Sequence, residues 1–293
     1  MKRTKILFLL LFSSLLLAQE NKNSDSEYLD ENVFDFIYKF HSIVEINYGF
    51  GKTQNENIYL TFENIKNWDI KLGRSEQKNY ISSLIELNEK YIFGSYLSSS
   101  NKKFSENNSK INTKTYHFGF GSRNGIGFGG LILSVIPYIS QDFAWTNLSD
   151  YSDNIHSEPL DLSKNNLSIL NDYLNSIRFG DKSSYGVKIN LTSTVQLNVN
   201  YETSVVYRRY LFWYWSGSIL LSQTGYQLLS NFTDEMINKS PIVGTIFNFA
   251  LKVGYQYEYY LLRKRNMNWP FNSKGNKTPL TYETFNFGLS FVF

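Results

Sequence analysis

Three groups of residues have side chains suited to chemistry. His117 lies in the run His117-Phe118-Gly119-Phe120-Gly121-Ser122, and an imidazole close to a serine hydroxyl is the start of a nucleophile and general-base pair. The rest of such a site is missing. No Gly-x-Ser-x-Gly element exists, no spaced aspartate singles itself out, and Ser122 reads as part of a turn. His117 is therefore expected to be a hydrogen-bonded interior histidine. The glycines between His117 and Gly127 loosely match a nucleotide-binding spacing, but alternating aromatics fill the gaps and no helix follows to receive a phosphate. His41 and His156 form no metal-spaced cluster with carboxylates. The second group is Arg263, Lys264 and Arg265 with Trp269 nearby. Guanidinium groups suit bidentate phosphate contacts and an indole suits a polar–apolar boundary; a solvated basic rim is the equal alternative. The third group is polar: Glu45, Asn47, Lys188, Asn190, Gln196, Asn198, Asn200, Glu202, Lys252, Gln256 and Glu258 occupy alternate positions in extended-looking stretches.

Alternation is what must position them. Side chains of a strand point to opposite faces in turn, so a period of two separates one face from the other. Tyr185, Val187, Ile189 and Leu191 alternate with Gly186, Lys188, Asn190 and Thr192; Val195, Leu197, Val199 and Tyr201 alternate with Gln196, Asn198, Asn200 and Glu202, with Thr192 to Thr194 as the tight turn. The same reading gives Val44 to Gly51, Ile58 to Phe62, Trp68 to Leu72, Tyr91 to Leu97, Tyr116 to Gly121, Ile126 to Ser140, Val205 to Trp215 as a continuation, Phe247 to Leu261, and Phe285 to Phe293. The total is about ten strands. Three stretches instead carry helical spacing: Ser218 to Lys239, Ser163 to Arg178 and, more weakly, Tyr28 to His41. Ser98 to Lys114 reads as a polar loop.

Composition narrows the class. The chain has no cysteine, which excludes disulfides, thiol nucleophiles and a lipid-modified N-terminal cysteine. Aromatics make up 17% of it, mean hydropathy is −0.32, and no apolar stretch is long enough to cross a bilayer as a helix. Lys2, Arg3 and Lys5 precede an apolar run from Ile6, small residues and Ala18, the order of a secretory signal peptide. Its removal would bring 29 basic residues to 26, equal to the 26 acidic ones, so the sequence pI of about 8.7 carries no implication of nucleic-acid binding.

The final stretch places Phe285, Phe287, Leu289, Phe291 and Phe293 on one face. This ending resembles the C-terminal strand of bacterial outer-membrane β-barrel proteins, which closes on alternating aromatics and a terminal Phe. The resemblance implies an all-β, transmembrane antiparallel barrel in the outer membrane of a Gram-negative cell, exported by a cleaved signal peptide. It implies that those five residues are a signal to the barrel assembly machinery. In such an envelope the phosphates open to Arg263, Lys264, Arg265 and Trp269 would be those of lipopolysaccharide, with a solvated rim the equal alternative.

The expected layout is a signal peptide at 1–18, an N-terminal periplasmic segment at 19–41, and a barrel at 42–293 with amphipathic helical inserts at 142–181 and 216–243. Threading ten strands from the periplasmic side places those inserts on that side, where barrels have short turns. One helix, foremost Ser218 to Lys239, is expected to pack against or inside the barrel and narrow its periplasmic mouth. The polar face is expected to fill a narrow, largely closed lumen, because about eight strands leave room for side chains alone. No cofactor is expected, and the role is expected to be non-enzymatic, structural or anchoring. A narrow porin-like channel for small solutes and an outer-membrane hydrolase acting on lipid or peptide are the alternatives.

Overall fold

The structure, a computed structural model, describes residues 41–79, 84–99, 110–129, 133–153, 168–209, 212–271 and 278–293. The expected signal peptide, the periplasmic segment and the helix at Tyr28 to His41 lie outside them, except for His41 itself. Among the described residues nine strands form in chain order: β1 His41–Gln54, β2 Thr61–Phe62, β3 Ile65–Asn79, β4 Leu84–Ser99, β5 Lys110–Gly129, β6 Ser134–Asp153, β7 Ile177–Asn190, β8 Val195–Val206 and β9 Leu280–Val292. Two helices, α1 Phe212–Lys239 and α2 Pro241–Arg265, lie between β8 and β9.

Eight of the strands close into a barrel. Around it the order is β5, β4, β3, β1, β9, β8, β7, β6 and back to β5, every neighbour antiparallel. β1 meets β9 from Ile43 opposite Val292 to Gln54 opposite Thr281, and the ring is sealed one step further by Phe293, whose amide donates to the Ser42 carbonyl at 2.9 Å. Closure removes the exposed edges that an open sheet would present. β2 is an extra two-residue strand that pairs in parallel with Lys110 and Ile111 of β5.

At one end lie His41, Phe293, the strand ends Asn79, Leu84, Gly129 and Ser134 and the turn at 191–194; at the other lie 55–64 and the strand ends Ser99, Lys110, Asp153, Ile177, Val206 and Leu280. The expected ten strands are thus eight plus one short one, and two segments account for the difference. Ile58 and Leu60 alternate because the segment is extended, yet they bury in the barrel's end rather than face outward. Phe247 to Leu261 is helical within α2, so Lys252, Gln256 and Glu258 are not lumen residues. Its alternating aromatics mimic a strand, while Ile242, Ile246, Phe247, Ala250 and Leu251 carry the helical period.

Losing the segment at Ile58 reverses every later strand until β9. That reversal moves the long connections to the end away from His41 and Phe293, and the conflict in the threading disappears. The expected insert at 142–181 is largely strand: β6 runs on to Asp153, β7 begins at Ile177, and the described helical part shrinks to one turn at 168–171. Residues 218–239 fall inside α1, which starts where the strand from Val205 was expected to continue. The strands reach into the expected loop at Ser98 to Lys114, with β4 running to Ser99 and β5 starting at Lys110; 100–109 lie outside the described residues.

Parity is clear along β1 and β4 and over the first half of β8. In β8, Gln196, Asn198, Asn200 and Glu202 are buried inside, whereas Val195, Leu197 and Val199 look outward. The outward face of β1, β3, β4, β5 and β9 is a belt of exposed apolar groups, among them Phe50, Trp68, Ile70, Ile92, Phe118 and Phe287. A water-facing sheet would place those groups inside; a lipid-facing barrel places them outside.

Candidate functional site

The interior holds three layers. At the end bearing His41 and Phe293, Ile85 and Leu87 of β4 meet Ile136 and Tyr138 of β6 in an apolar cluster. At the other end, inward residues such as Ile65, Leu97, Leu148 and Val206 pack with Ile58 and Leu60 of the first long connection and with Ile169, Leu170 and Tyr173 beside the turn at 168–171. This second cluster is tied down by polar contacts. Asn55 donates to the carbonyls of Thr278 at 3.2 Å and Pro279 at 3.1 Å, the Leu280 amide donates to the Tyr173 hydroxyl at 3.1 Å, and Arg208 pairs with Asp172. Burial pushes the Tyr173 phenol well above its ordinary range, so it stays protonated.

Between the two apolar layers lies the charged one. Arg123 is completely buried and grips Glu45 through two bonds, Nη1 to Oε2 at 2.7 Å and Nη2 to Oε1 at 2.9 Å, while Nη1 also reaches Glu89 at 2.7 Å. Its guanidinium lies over the Tyr138 ring at 4.3 Å. Lys188 pairs with Glu89 and Glu45, Lys71 lies 3.7 Å from both Glu45 and Asp69, and Lys182 bridges Asp69 at 3.4 Å and Glu202 at 3.0 Å. Asn47, Asn198, Ser95 and Ser290 fill remaining acceptor positions on Glu45 and Asp69, and Tyr91 donates to Asp142 at 2.8 Å. Five acids, Glu45, Asp69, Glu89, Asp142 and Glu202, thus face four cations, Lys71, Arg123, Lys182 and Lys188, all of them buried. Buried charges of this kind persist where each finds a partner.

His117 sits inside, edge-on to Tyr282 at 5.0 Å, and neither ring nitrogen meets a hydrogen-bond partner among the described residues. The expectation of a hydrogen-bonded lumen histidine is half met: the lumen is right, the bond is absent. Ser122 lies five positions along the same strand and so on the opposite, outward face. The two cannot form a catalytic pair. Gly121 stands where a Cβ would fall 1.9 Å from an Asp142 side-chain oxygen, so room for the Asp142 carboxyl across the strand pair, not phosphate, accounts for that glycine.

At the long-loop end the basic group is split. Arg263 is buried on the outer wall, paired with Asp181 and lying over Tyr207 at 4.9 Å. Lys264 pairs with Glu283 at 3.0 Å, beside Lys52 at 3.1 Å and the hydroxyls of Tyr260 and Tyr201. Arg265 alone of the three is exposed, and Trp269 is half-buried edge-on to Tyr259. Phe285, Phe287, Leu289, Phe291 and Phe293 share the outward face of β9 and its end, as the alternation requires.

Sequence reasoning missed Arg123, Asp69, Lys71, Glu89, Asp142 and Lys182. The signal was present for the first three. Asp69 and Lys71 interleave with Trp68, Ile70 and Leu72, and Arg123 continues the inward parity of His117, Gly119 and Gly121 once the turn is moved from 122–125 to 130–133.

No protein family matches the chain, and no curated protein matches it. Among solved structures it is similar to the crystal structure of Neisserial surface protein A, at 10% identity and a TM-score of 0.35, covering 86% of this chain and 97% of that one. It is also similar to Ail, the attachment invasion locus protein of Yersinia pestis, at 8% identity and a TM-score of 0.34, covering 87% of this chain and 100% of that one. The architecture itself fits an outer-membrane β-barrel: an even number of antiparallel barrel strands, short turns at the end that bears His41 and Phe293, longer connections at the other, an apolar outer band and a charged layer inside.

Proposed function

We propose that the protein is a closed outer-membrane barrel with a structural or anchoring role in the cell envelope. The observation that carries this reading is the filled interior, an ion-paired layer held between two apolar ones. A conducting pore needs a continuous aqueous path, and porin-scale lumens take about 16 strands. The plug expected from α1 at the periplasmic mouth is not part of the reading, since α1 lies against the outer wall of the barrel; inward side chains of the strands, with Ile58, Leu60, Ile169, Leu170 and Tyr173 of the connections, do the closing.

The reading places the short-turn end in the periplasm and the long connections outside, with export by a signal peptide cleaved after Ala18. Contact with lipopolysaccharide narrows to Arg265 and Trp269, because Arg263 and Lys264 already hold Asp181 and Glu283. Cells lacking the protein should become more sensitive to detergents and bulky antibiotics while their uptake of small solutes stays the same. Slower uptake with an intact permeability barrier would refute the structural role and favour a channel.

The assembly signal has its own test. Phe293 adds the last rung between β9 and β1 and projects an exposed ring. Deleting it, or replacing it with Asp, should sharply lower the folded protein in outer-membrane fractions. Unchanged yield and unchanged heat-modifiable mobility would show that the residue is dispensable.

A further inference from the structure

The helical hairpin is built inside out for water. In α1 the buried side chains include Ser218, Ser222 and Thr233, and in α2 they include Thr245, Asn248 and Gln256. The helices meet through polar and small groups: Thr233 donates to Asn248 at 3.0 Å, Tyr255 donates to the Ser222 carbonyl at 2.9 Å, and a Cβ on Gly244 would fall 2.5 Å from the backbone of Ile237. Exposed instead are Leu228, Phe232, Ile242, Ile246, Phe247 and Leu251. A helix pair folded in water buries its apolar stripe. Small-residue contacts and interhelical hydrogen bonds, with apolar groups outward, are the packing of helices in lipid.

The hairpin also lies against the barrel wall rather than above it. Trp215 at the start of α1 donates to Asp181 on the outward face of β7, Gln223 further along donates to Gln141 on the outward face of β6 at 3.0 Å, and Asp234 and Lys252 come within electrostatic range of Glu86, close to the short-turn end of β4. The hairpin therefore descends from the long-loop end towards the periplasmic turns. Beneath it the wall is unlike the rest of the belt: Gln141 and Ser183 are outward and polar, and Tyr185 and Thr203 are outward by register yet buried. Such a strip would be costly to expose to lipid. The hairpin covers it, and the exposed face of α2 continues the apolar belt on either side.

We propose that α1 and α2 are immersed in the bilayer beside the barrel, with acyl chains as the partner of their exposed face. The proposal rests on the outer-membrane reading. Neither helix is long and apolar enough to cross a membrane by itself; the wall and the partner helix take up the buried polar groups, and the exposed residues of α2 from Ile242 to Leu251 are apolar. The polar groups exposed on α1 between Phe212 and Thr233 are engaged locally, Gln227 with Asn231, Thr224 with the Leu220 carbonyl and Gln223 with Gln141. Phe212 to Thr233 contains no Asp, Glu, Lys or Arg, and at ~1.5 Å per residue it is ~33 Å long, the scale of the hydrocarbon core. Lys252 points to the covered side, over the Tyr226 ring at 5.3 Å, as intramembrane cations do.

The chain is free of cysteine, so single probes are unambiguous. Phe247→Cys, Leu228→Cys and the barrel reference Ile92→Cys, each carrying a bimane fluorophore, would be reconstituted in phosphatidylcholine vesicles with and without bromine on the acyl chains. The expected result is loss of most of the emission at all three sites with brominated lipid, and little quenching by iodide in the water. Iodide quenching without lipid quenching at Phe247 and Leu228, while Ile92 responds to lipid, would overturn immersion and leave the barrel reading intact. Shielding of both helix sites from both quenchers, with cross-links between chains, would overturn it in favour of a second copy. Failure at Ile92 as well would remove the outer-membrane reading on which the proposal stands.

Discussion

Replacing Arg123 with methionine should destabilise the folded barrel by about 3–5 kcal/mol, the cost of leaving a buried charge without its partner. Arg123 makes the bidentate contact with Glu45 and a third bond to Glu89, and both acids are as buried as the arginine. Methionine fills much of the volume but offers no donor, so two carboxylates would face the low-dielectric interior with Lys188 and Lys71 as the cations left to them. Arg123→Lys should fall between, because an ammonium keeps the charge and loses the fork geometry. The contrast is Lys114→Met: its pair with Asp150 is open to water on both sides, at 49% and 56% side-chain exposure, and should matter little. Urea midpoints of the barrel refolded into vesicles would read all three. A methionine variant as stable as the parent would mean that the ion-paired layer does not hold the interior together.

Ile70→Arg should cost ~2–4 kcal/mol if the outer belt meets lipid near mid-membrane, whereas Leu191→Arg in a short turn should cost ~0–1 kcal/mol because an arginine there reaches the interface. Ile70 lies mid-strand in β3, between Ile46 and Gly94, and is half-exposed. The two substitutions have the same chemistry and differ in depth alone. In water both would be near neutral, since an exposed arginine on a sheet disturbs nothing it needs. Equal small effects in vesicles would show that β3 does not cross a bilayer.

Much of the barrel is legible from alternation because each strand needs one wet face and one apolar face, and a period of two writes both into consecutive residues. Val195 to Glu202 and Phe285 to Phe293 are examples. What alternation cannot separate is an extended segment from a strand, or an aromatic-rich helix from a strand. Ile58 to Phe62 and Phe247 to Leu261 fell on the wrong side for those two reasons, and a single false strand inverted the orientation of the connections that follow it. The interior pairs are legible one residue at a time but not as pairs. Glu45 and Arg123 are 78 residues apart, and which two inward residues meet depends on the register and tilt of strands that share no local signal. The lumen could be read as polar; that Arg123 sits at its centre could not.

The measurement that tests the account most directly is electrical. Purified protein inserted in a planar bilayer, with insertion confirmed by protection of its strands from protease, should give no stable conductance steps, because two apolar layers and the Arg123 layer leave no aqueous path from one end to the other. Discrete, reproducible steps from the inserted barrel would contradict the closed interior and with it the structural role assigned here.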